Sequence, residues 1–486
     1  YSGGEGGGTG TYGDLERKPF EEGELWFASS PWTWDWDATI AMNDTSSTGS
    51  FGILRNSRNN QWTIGGISKA NYKFSKYFNT TIGIDLRTAE IEHYREIRDL
   101  LGGDFFDPRT VDEPVSDFWT GNDFSRGLGD KVDYDFTNNV DWLGVFGQGE
   151  YSKGRVTAYG MAGYSQIKYK HTNHFLADDN GRELEVESDW IDGIQAKGGA
   201  GYRANRNVHV YGNIGYVAKV PIFDNVISDR TGSLATDPQN EKFISFEAGA
   251  NINALENQLN FKASLYHTTW NDRANSIAIT NPDGTEGLVF ITGMDARHQG
   301  VEFEAAYQPN RFFRFDGAAS VGNWEYTDDV EGYYKDYATG GAQEDTVSYF
   351  VDGLKVGDAP QTQFALAGSV YPVRGLMGQL AVRHYRDHYA DWDPFSRQDP
   401  NDRKQSWKAP SYSVIDLHAY YKLPLNVRGV NPQLFLHVFN LLDELYIQDA
   451  TDNSQFNSFD QDHDADDAEV FFGLPRFFNL GIQFNF

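Results

Sequence analysis

The stretch Gly473–Phe486, GLPRFFNLGIQFNF, carries apolar side chains at every second position near its end. Phe478, Leu480, Ile482 and Phe484 alternate with asparagine, glycine and glutamine. A period of two predicts a β-strand, because successive side chains of a strand point to opposite faces of the sheet. The alternation recurs about a dozen times along the chain, and its polar positions carry full charges. This pattern predicts an all-β, antiparallel transmembrane β-barrel with an apolar face toward lipid.

The composition agrees with a barrel and excludes several other classes. Mean hydropathy is -0.57, and no window approaches the roughly 18 consecutive apolar residues of a membrane helix. Aromatic residues make up 15% of the 486 residues, which suits the aromatic girdles of membrane barrels. The chain has no cysteine, so disulfides, thiolate metal sites and a thiol nucleophile are excluded.

The net charge of -29 argues against nucleic acid as a partner, since phosphate binding requires a surplus of lysine and arginine. Solvated acidic loops explain this charge, and a calcium-bridged outer surface is a further explanation. Acidic and aromatic loops favour a cationic or carbohydrate ligand slightly over an anionic one.

Short turns and long connections alternate between the predicted strands. Short turns fall at Lys153–Gly154, Asn205–Asn207, Leu255–Asn257, Pro309–Arg311 and Pro372–Gly375. Long connections fall at residues 172–188, 221–241, 271–297, 327–358, 390–410 and 443–472. Outer-membrane barrels have short periplasmic turns and long extracellular loops, and an immunoglobulin-type sandwich does not separate its loops in this way.

The predicted strands divide the chain into two parts. Residues 1–59 read as a long extracellular loop region, with the end of an upstream strand at residues 1–2, and residues 60–486 as the C-terminal part of the barrel. The spacing in His93–Gly103 predicts a short helix inside a loop that runs to Asn138. About 15 strands are visible, and bacterial barrels have even numbers, so we expect further strands upstream. A 22-stranded barrel fits this parity, as do barrels of 16 or 18 strands.

Several segments together resemble a TonB-dependent outer-membrane receptor. They are Gly300–Tyr326 (GVEFEAAYQPNRFFRFDGAASVGNWEY), Ala359–Pro372 (APQTQFALAGSVYP), Phe439–Ile447 (FNLLDELYI), Arg55–Lys73 and the final Gly473–Phe486. The resemblance covers essentially the whole chain, and it points to the family without identifying a ligand.

The resemblance implies a transporter in the outer membrane of a Gram-negative bacterium, surrounded by outer-membrane lipid. Such receptors import scarce nutrients of the siderophore, cobalamin or oligosaccharide type, with a plug domain in the lumen and a TonB-type protein that supplies energy from the inner membrane. Neither the plug nor the TonB-contacting segment is found in this sequence. A surface lipoprotein is a further candidate partner. No enzyme activity is expected, since no catalytic pattern stands in a supporting context.

Two other functions remain open from the residues. A passive porin or diffusion channel requires no energy coupling, and a loop folded into its lumen, with basic residues facing acidic ones, would favour it. A structural or adhesive barrel would bind a partner through its long loops.

Charged residues at polar strand positions are the first candidate site. We expect Glu247, Lys262, Glu302, Glu304, Arg314 and Asp316 to face the lumen and the plug, together with Gln195, Lys197 and Arg203. Unpaired charges are costly to desolvate, so these residues require water or a polar plug. Direct contact with the substrate is the alternative.

Two aromatic or basic segments are candidate ligand-binding sites. Trp32, Trp34 and Trp36 alternate with polar residues and could stack on a sugar or a planar chelate, or form a small core of their own loop. His93, Tyr94 and Arg95 form the second candidate, with His93 as a possible metal ligand.

The acidic segment 459–469, FDQDHDADDAE, is the candidate metal site. Asp460, Asp462 and Asp464 have the 1-3-5 spacing of an EF-hand calcium loop. Ala465 stands where that loop requires glycine and Phe471 where it requires glutamate, so the EF-hand interpretation fails. A looser calcium site and a solvated acidic loop remain. No other cofactor is expected.

Overall fold

The computed structural model describes residues 8–13, 17–19, 32–34, 36–111, 114–229, 232–235, 238–280, 286–336, 344–425, 429–453 and 462–485. In this part of the chain, no helix is both long enough and apolar enough to cross a membrane. Nearly all regular structure is β-strand, which confirms the predicted fold class.

The strands of the first half begin near the N-terminus and lengthen after residue 52. They are β1 (Gly8–Gly13), β2 (Arg17–Pro19), β3 (Trp32–Trp34), β4 (Gly52–Ser75), β5 (Phe78–Asp99), β6 (Lys131–Lys153), β7 (Val156–Ala177), β8 (Glu183–Glu187), β9 (Ile191–Arg203), β10 (Val208–Lys219), β11 (Glu241–Ala254) and β12 (Leu259–Thr280). Helix α1 (Trp36–Asp44) precedes β4, and short 3₁₀ helices lie at Pro108–Val111 and Phe223–Asn225.

The strands of the second half become shorter toward the C-terminus. They are β13 (Glu286–Asn310), β14 (Phe313–Tyr326), β15 (Val330–Asp336), β16 (Glu344–Tyr349), β17 (Thr362–Val370), β18 (Leu376–Arg386), β19 (His388–Tyr389), β20 (Asp391–Trp392), β21 (Lys408–Ala409), β22 (Tyr412–Lys422), β23 (Asn431–Phe439), β24 (Ile447–Asp452), β25 (Glu469–Phe472) and β26 (Phe477–Asn485). A third 3₁₀ helix lies at Pro394–Ser396.

One antiparallel sheet contains 19 of these strands. Its backbone pairings run from β1 to β4, β5, β6, β7 and β9 through β14, and then through β17, β18, β22, β23 and β26. Strand β8 pairs with the C-terminal part of β7, β15 pairs with the N-terminal part of β13, and β16 pairs with β15. Counted along these pairings from β4 to β26, the sheet has 15 strands, which is the predicted number, and β1 adds one more.

The two faces of the sheet differ in polarity along its whole width. Ile84 lies opposite Val145, and Leu436 lies opposite Leu480, on the face that we call the apolar face. Lys262 lies opposite Glu304 on the other face, which we call the polar face. Large apolar side chains on the apolar face are exposed, with Leu480 accessible over 70% of its surface. A soluble sheet would cover such a face, whereas a barrel presents it to lipid.

Many strands are longer than a membrane crossing requires. Strand β13 has 25 residues and β4 has 24, whereas a tilted membrane strand requires roughly 9–11. The predicted loop at residues 271–297 is therefore largely strand, because β12 continues to Thr280 and β13 begins at Glu286. These hairpins are long enough to extend beyond a membrane on the side of the long connections.

The predicted helix at His93–Gly103 is wrong. Strand β5 continues to Asp99, and Arg95 lies opposite both Ser57 in β4 and Val132 in β6. Pairing on both edges satisfies the backbone groups of this segment and overrides its local helical spacing. Beyond the strand, Gly102 has a φ of +90°, which suits the turn at its end.

The expectation of no strands within residues 1–59 is also wrong. Strand β1 pairs with β4, with Gly8 opposite Ser57 and Gly13 opposite Gly52, so the boundary proposed at residue 59 falls inside a strand. The segment GTGTYG has no apolar period, and its backbone pairing alone makes it a strand. Residues 1–2, where the upstream strand was expected to end, lie outside the described residues.

Buried apolar clusters lie where the long connections pack together. The largest combines residues of strands β13 and β14 with residues that follow them in the chain, and it contains Ile291, Met294, Tyr326, Val330, Tyr349, Val351, Leu354 and Trp392. Tyr326 and Tyr349 are almost fully buried there. These clusters pack the connections against the ends of long sheet strands such as β13 and β14.

Candidate functional site

The predicted charged residues of the polar face lie together in the structure. Lys262 Nζ lies 2.9 Å from Glu304 Oε2 across strands β12 and β13. Ser264 Oγ donates a hydrogen bond of 3.4 Å to Glu302, which follows along the same two strands. Glu247 on β11 accepts hydrogen bonds from Tyr211 and Asn213 on β10. The sequence prediction that these residues share one face agrees with the strand register.

Arg314 and Asp316 lie on the same polar face, on strand β14. The Arg314 guanidinium donates to both carboxylate oxygens of Asp316, with its Nη2 2.7 Å from Oδ1. Gln195, Lys197 and Arg203 on β9 also have the register of the polar face. The polar face therefore presents mixed charges over at least six neighbouring strands, β9 to β14. Their roles toward a plug or a substrate stay predictions.

His93, Tyr94 and Arg95 do not form one site. His93 Nδ1 contacts Asn59 Oδ1 at 2.8 Å, and its ring stacks on Phe136 with centroids 4.9 Å apart. The neighbouring Tyr94 points to the opposite face, because side chains alternate along a strand. Lys131 Nζ lies over the Tyr94 ring, 4.2 Å from its centroid.

Arg95 belongs to a separate ion cluster. Its Nη1 lies 2.6 Å from Asp133 Oδ2, and the same oxygen accepts a bond of 3.2 Å from Arg55. Asp133 has a φ of +68°, in a register shift between β5 and β6. The ion cluster thus lies at the irregular strand pairing, and ligand binding by Arg95 stays a prediction.

The connection between β10 and β11 folds back onto the polar face. Val226 and Ile227 pack against Ile167 and Tyr169 of β7. The Tyr169 hydroxyl donates a hydrogen bond of 2.8 Å to the carbonyl of Pro221. This inward packing could not be predicted from the sequence, because the segment has no period and its partners lie about 50 residues away.

A buried ion network joins two long connections on the side of the extended hairpins. Arg397 and Asp452 are fully buried, and Arg397 Nη2 lies 2.9 Å from Asp452 Oδ2. His463 bridges two carboxylates, with Nδ1 2.6 Å from Asp452 and Nε2 2.8 Å from Asp402. Burial lowers the pKa of His463, but the hydrogen bonds to both carboxylates outweigh it, so the pKa is raised. Sequence analysis missed this network because its members are up to 66 residues apart.

A second polar cluster lies next to this network. A Cβ on Gly357 would lie 2.6 Å from the backbone nitrogen of Asp391, so the two segments pack closely. Burial, together with the charge of Asp358, raises the pKa of Asp391 to about 7. His388 is 3% exposed, and neither of its ring nitrogens has a hydrogen-bond partner among the described residues.

The candidate metal residues fall into a tight acidic turn. Asp462 and Asp464, together with Asp466 and Asp467, place carboxylate oxygens within 4.8 Å of one another. The Asp462 amide donates a hydrogen bond of 2.8 Å to Asp467, which is fully buried. Asp460 lies outside the described residues. Oxygen ligands at this spacing suit calcium, and calcium binding stays a prediction.

The tryptophan segment is divided between two elements. Trp32 and Trp34 lie in β3, which pairs with β2, and Trp36 begins helix α1. Ligand stacking by these three tryptophans stays a prediction. Trp36 is exposed, with 42% of its surface accessible.

The sequence of the chain matches one family model. The model describes the β-barrel of TonB-dependent receptor-like proteins, and it matches residues 2–441. A comparison with curated protein sequences gives no match.

Solved structures with similar folds include two receptors and one transporter. The copper transporter OprC has a TM-score of 0.59 at 15% identity, over 88% of this chain and 59% of that one. The siderophore receptor PiuA from Acinetobacter baumannii has a TM-score of 0.56 at 13% identity, over 88% and 56%. The ferric-catecholate import receptor Fiu from E. coli K12, in its closed form, has a TM-score of 0.53 at 13% identity, over 94% and 57%.

At these identities the structural likeness establishes the fold. The chain spans less than two thirds of the length of the receptors that it resembles. The family model adds the sequence evidence across nearly all of the strands described above. The chain belongs to the family of TonB-dependent receptor β-barrels.

Proposed function

We propose that this chain is the barrel part of an outer-membrane receptor that imports a scarce nutrient with energy from the inner membrane. The observation that carries the proposal is the match to the receptor-barrel family over residues 2–441. The similar structures described above bind or import siderophores and metal, which supports a nutrient of the siderophore type. A plug domain, a TonB-type protein and a Gram-negative outer membrane belong to the same proposal.

The charged polar face supports a lumen that contains a polar plug. Charges such as Lys262 and Glu304 are paired across strands yet remain partly accessible. A polar wall of this kind packs against hydrophilic protein surface at little desolvation cost. A receptor whose role is transport also accounts for the lack of a catalytic arrangement in the sequence.

The passive-porin alternative is not favoured. The segment between β10 and β11 folds onto the polar face, as a constriction loop would. However, the chain matches the barrel family of TonB-dependent receptors over residues 2–441, which favours a receptor over a porin.

Uptake in whole cells tests the proposal. Cells that produce the receptor are given a labelled ferric siderophore, with and without a protonophore that collapses the inner-membrane gradient. An importer loses uptake in the presence of the protonophore, and it also loses uptake when the TonB-type protein is deleted. Uptake that survives both treatments and rises linearly with ligand concentration would instead establish a diffusion channel.

A pair of variants tests the polar face. Lys262→Glu places a third carboxylate beside Glu304 and Glu302, so we expect a several-fold loss of uptake through disturbed contacts in the lumen. Lys242→Glu is the matched control, since Lys242 pairs with Asp272 at 2.8 Å but has the register of the apolar face. Equal losses in both variants would contradict a special role for the polar face.

A further inference from the structure

Two histidines meet on the polar face near the C-terminal end of the sheet. His418 on β22 and His437 on β23 are register partners. Their neighbours in the same row are Gln379 on β18 and Asn479 on β26. The row therefore places four polar side chains side by side across four strands, at a spacing of about 4.8 Å between strands.

The two imidazole rings converge through the same type of nitrogen. His418 Nδ1 lies 2.8 Å from His437 Nδ1, and the ring centroids are 5.0 Å apart. A single hydrogen bond requires a proton on one nitrogen and a lone pair on the other. Without that proton, two lone pairs occupy the same space. The two nitrogens can therefore share one proton in a hydrogen bond, or direct both lone pairs at one cation.

The separation matches the bite of two ligands on one metal ion. Metal–imidazole bonds are about 2.0–2.1 Å long. Two such bonds at a right angle place their nitrogens about 2.9 Å apart, by simple geometry from that length. The observed separation of 2.8 Å between the two nitrogens is close to this value.

The surroundings hold both rings in place. Tyr420 and Phe435 contact His437 with centroids 5.3 and 5.4 Å away, and Phe439 contacts both histidines. The nearby carboxylate of Asp416 is already engaged, since it accepts from Arg383 and from the Asn440 amide. Imidazole nitrogen thus dominates the donor set, which selects Cu²⁺, Ni²⁺ or Zn²⁺ over Ca²⁺ and Mg²⁺.

We propose that His418 and His437 bind a divalent transition-metal ion on the inner wall of the barrel, with Cu²⁺ bound most tightly. The order follows the general affinity of nitrogen ligands for first-row ions. Two protein ligands leave the remaining coordination positions to water or to a ligand in transit. This proposal does not depend on the proposed import function, because the experiment measures metal bound to the protein and not transport.

The test uses the receptor purified in detergent from outer membranes, titrated with Cu²⁺. Electron paramagnetic resonance counts the nitrogens around the bound ion, and calorimetry gives the affinity. We expect a two-nitrogen spectrum for the receptor and at least tenfold weaker binding of that ion in His418→Ala and in His437→Ala. His384→Ala is the matched control, because His384 has the register of the apolar face and contacts Ser413 Oγ at 2.9 Å. This variant should keep the spectrum and the affinity.

A second measurement requires no substitution, so a folding defect cannot obscure the result. Diethyl pyrocarbonate labels accessible imidazoles, and mass spectrometry reports the extent of labelling at each histidine. Cu²⁺ should protect His418 and His437 at concentrations that leave His384 labelled. Two results would overturn the proposal: an unchanged two-nitrogen spectrum in a folded variant that carries both His418→Ala and His437→Ala, or equal labelling of the two histidines with and without Cu²⁺. Either result would mean that the two rings share only a hydrogen bond.

Discussion

Replacement of Arg397 by methionine tests whether the buried ion network holds the long connections together. The Arg397 side chain is fully buried and lies 2.9 Å from Asp452 Oδ2, and it donates a hydrogen bond of 2.8 Å to the Lys404 carbonyl. Arg397→Met keeps most of the apolar stem and leaves Asp452 without this cation. Loss of one partner of a buried ion pair costs about 3–5 kcal/mol. His463 remains 2.6 Å from the same carboxylate, so we expect the lower end, about 3 kcal/mol.

Hydrogen exchange at backbone amides measures this local stability. The Trp407 amide donates to Asp452 Oδ1 at 2.9 Å, and the Ala390 amide donates to the Trp407 carbonyl at 2.8 Å. A loss of 3 kcal/mol should accelerate exchange of both amides about 150-fold, since each 1.4 kcal/mol is a factor of ten.

The matched control is Arg403→Met in the same connection. Arg403 makes a bidentate ion pair with Asp329, in which both nitrogen–oxygen distances are 2.8 Å, but its side chain is 44% exposed. An exposed pair contributes about 0.2–1 kcal/mol, so exchange should change less than about sixfold. Comparable acceleration in both variants, or less than tenfold acceleration in Arg397→Met, would refute the reasoning that burial gives the network its strength.

Three further predictions concern the membrane face, pH and calcium. Leu366→Lys, at an apolar-face position that is 61% exposed, should destabilise the receptor in a bilayer by about 2–4 kcal/mol in urea unfolding, whereas the adjacent polar-face Ala367→Lys should have little effect. Because the pKa of Asp391 is raised to about 7, the folded state binds its proton more tightly, and local stability should fall as pH rises from about 4 through 7. Hydrogen exchange in Asp391→Asn should lose this dependence, and persistence of the full slope would contradict the assignment. Asp464→Asn should weaken Ca²⁺ binding measured by calorimetry at least tenfold if the acidic turn holds the ion, and unchanged binding would place any calcium elsewhere.

The fold class followed from local patterns in the sequence. Alternation in Phe478–Phe484 and in the other strands depends on neighbouring residues alone, so it was readable without any contact information. The register then carried Lys262, Glu302 and Glu304 to one face as predicted, since a strand has only two faces. The short turns were likewise predicted from residues such as Gly154, whose φ is +63°.

The strand ends were decided by pairing with other strands. Arg95 continues a strand against its local helical spacing, because both of its neighbouring strands supply backbone partners. Gly8–Gly13 forms a strand without any apolar period for the same reason. Local pattern sets the preference of a segment, and the hydrogen bonds offered by adjacent strands decide its final length.

The sites depended most on tertiary structure. His93, Tyr94 and Arg95 are adjacent in sequence but were separated by strand alternation. His418 and His437, or Arg397 and His463, are distant in sequence but lie within 3.0 Å through the sheet register and the packing of the connections. The sequence by itself determined an alternating two-faced sheet, because the period of a strand is a local property. Only the tertiary structure decided which charges and imidazoles meet, because such contacts depend on the register and packing of segments far apart in the chain.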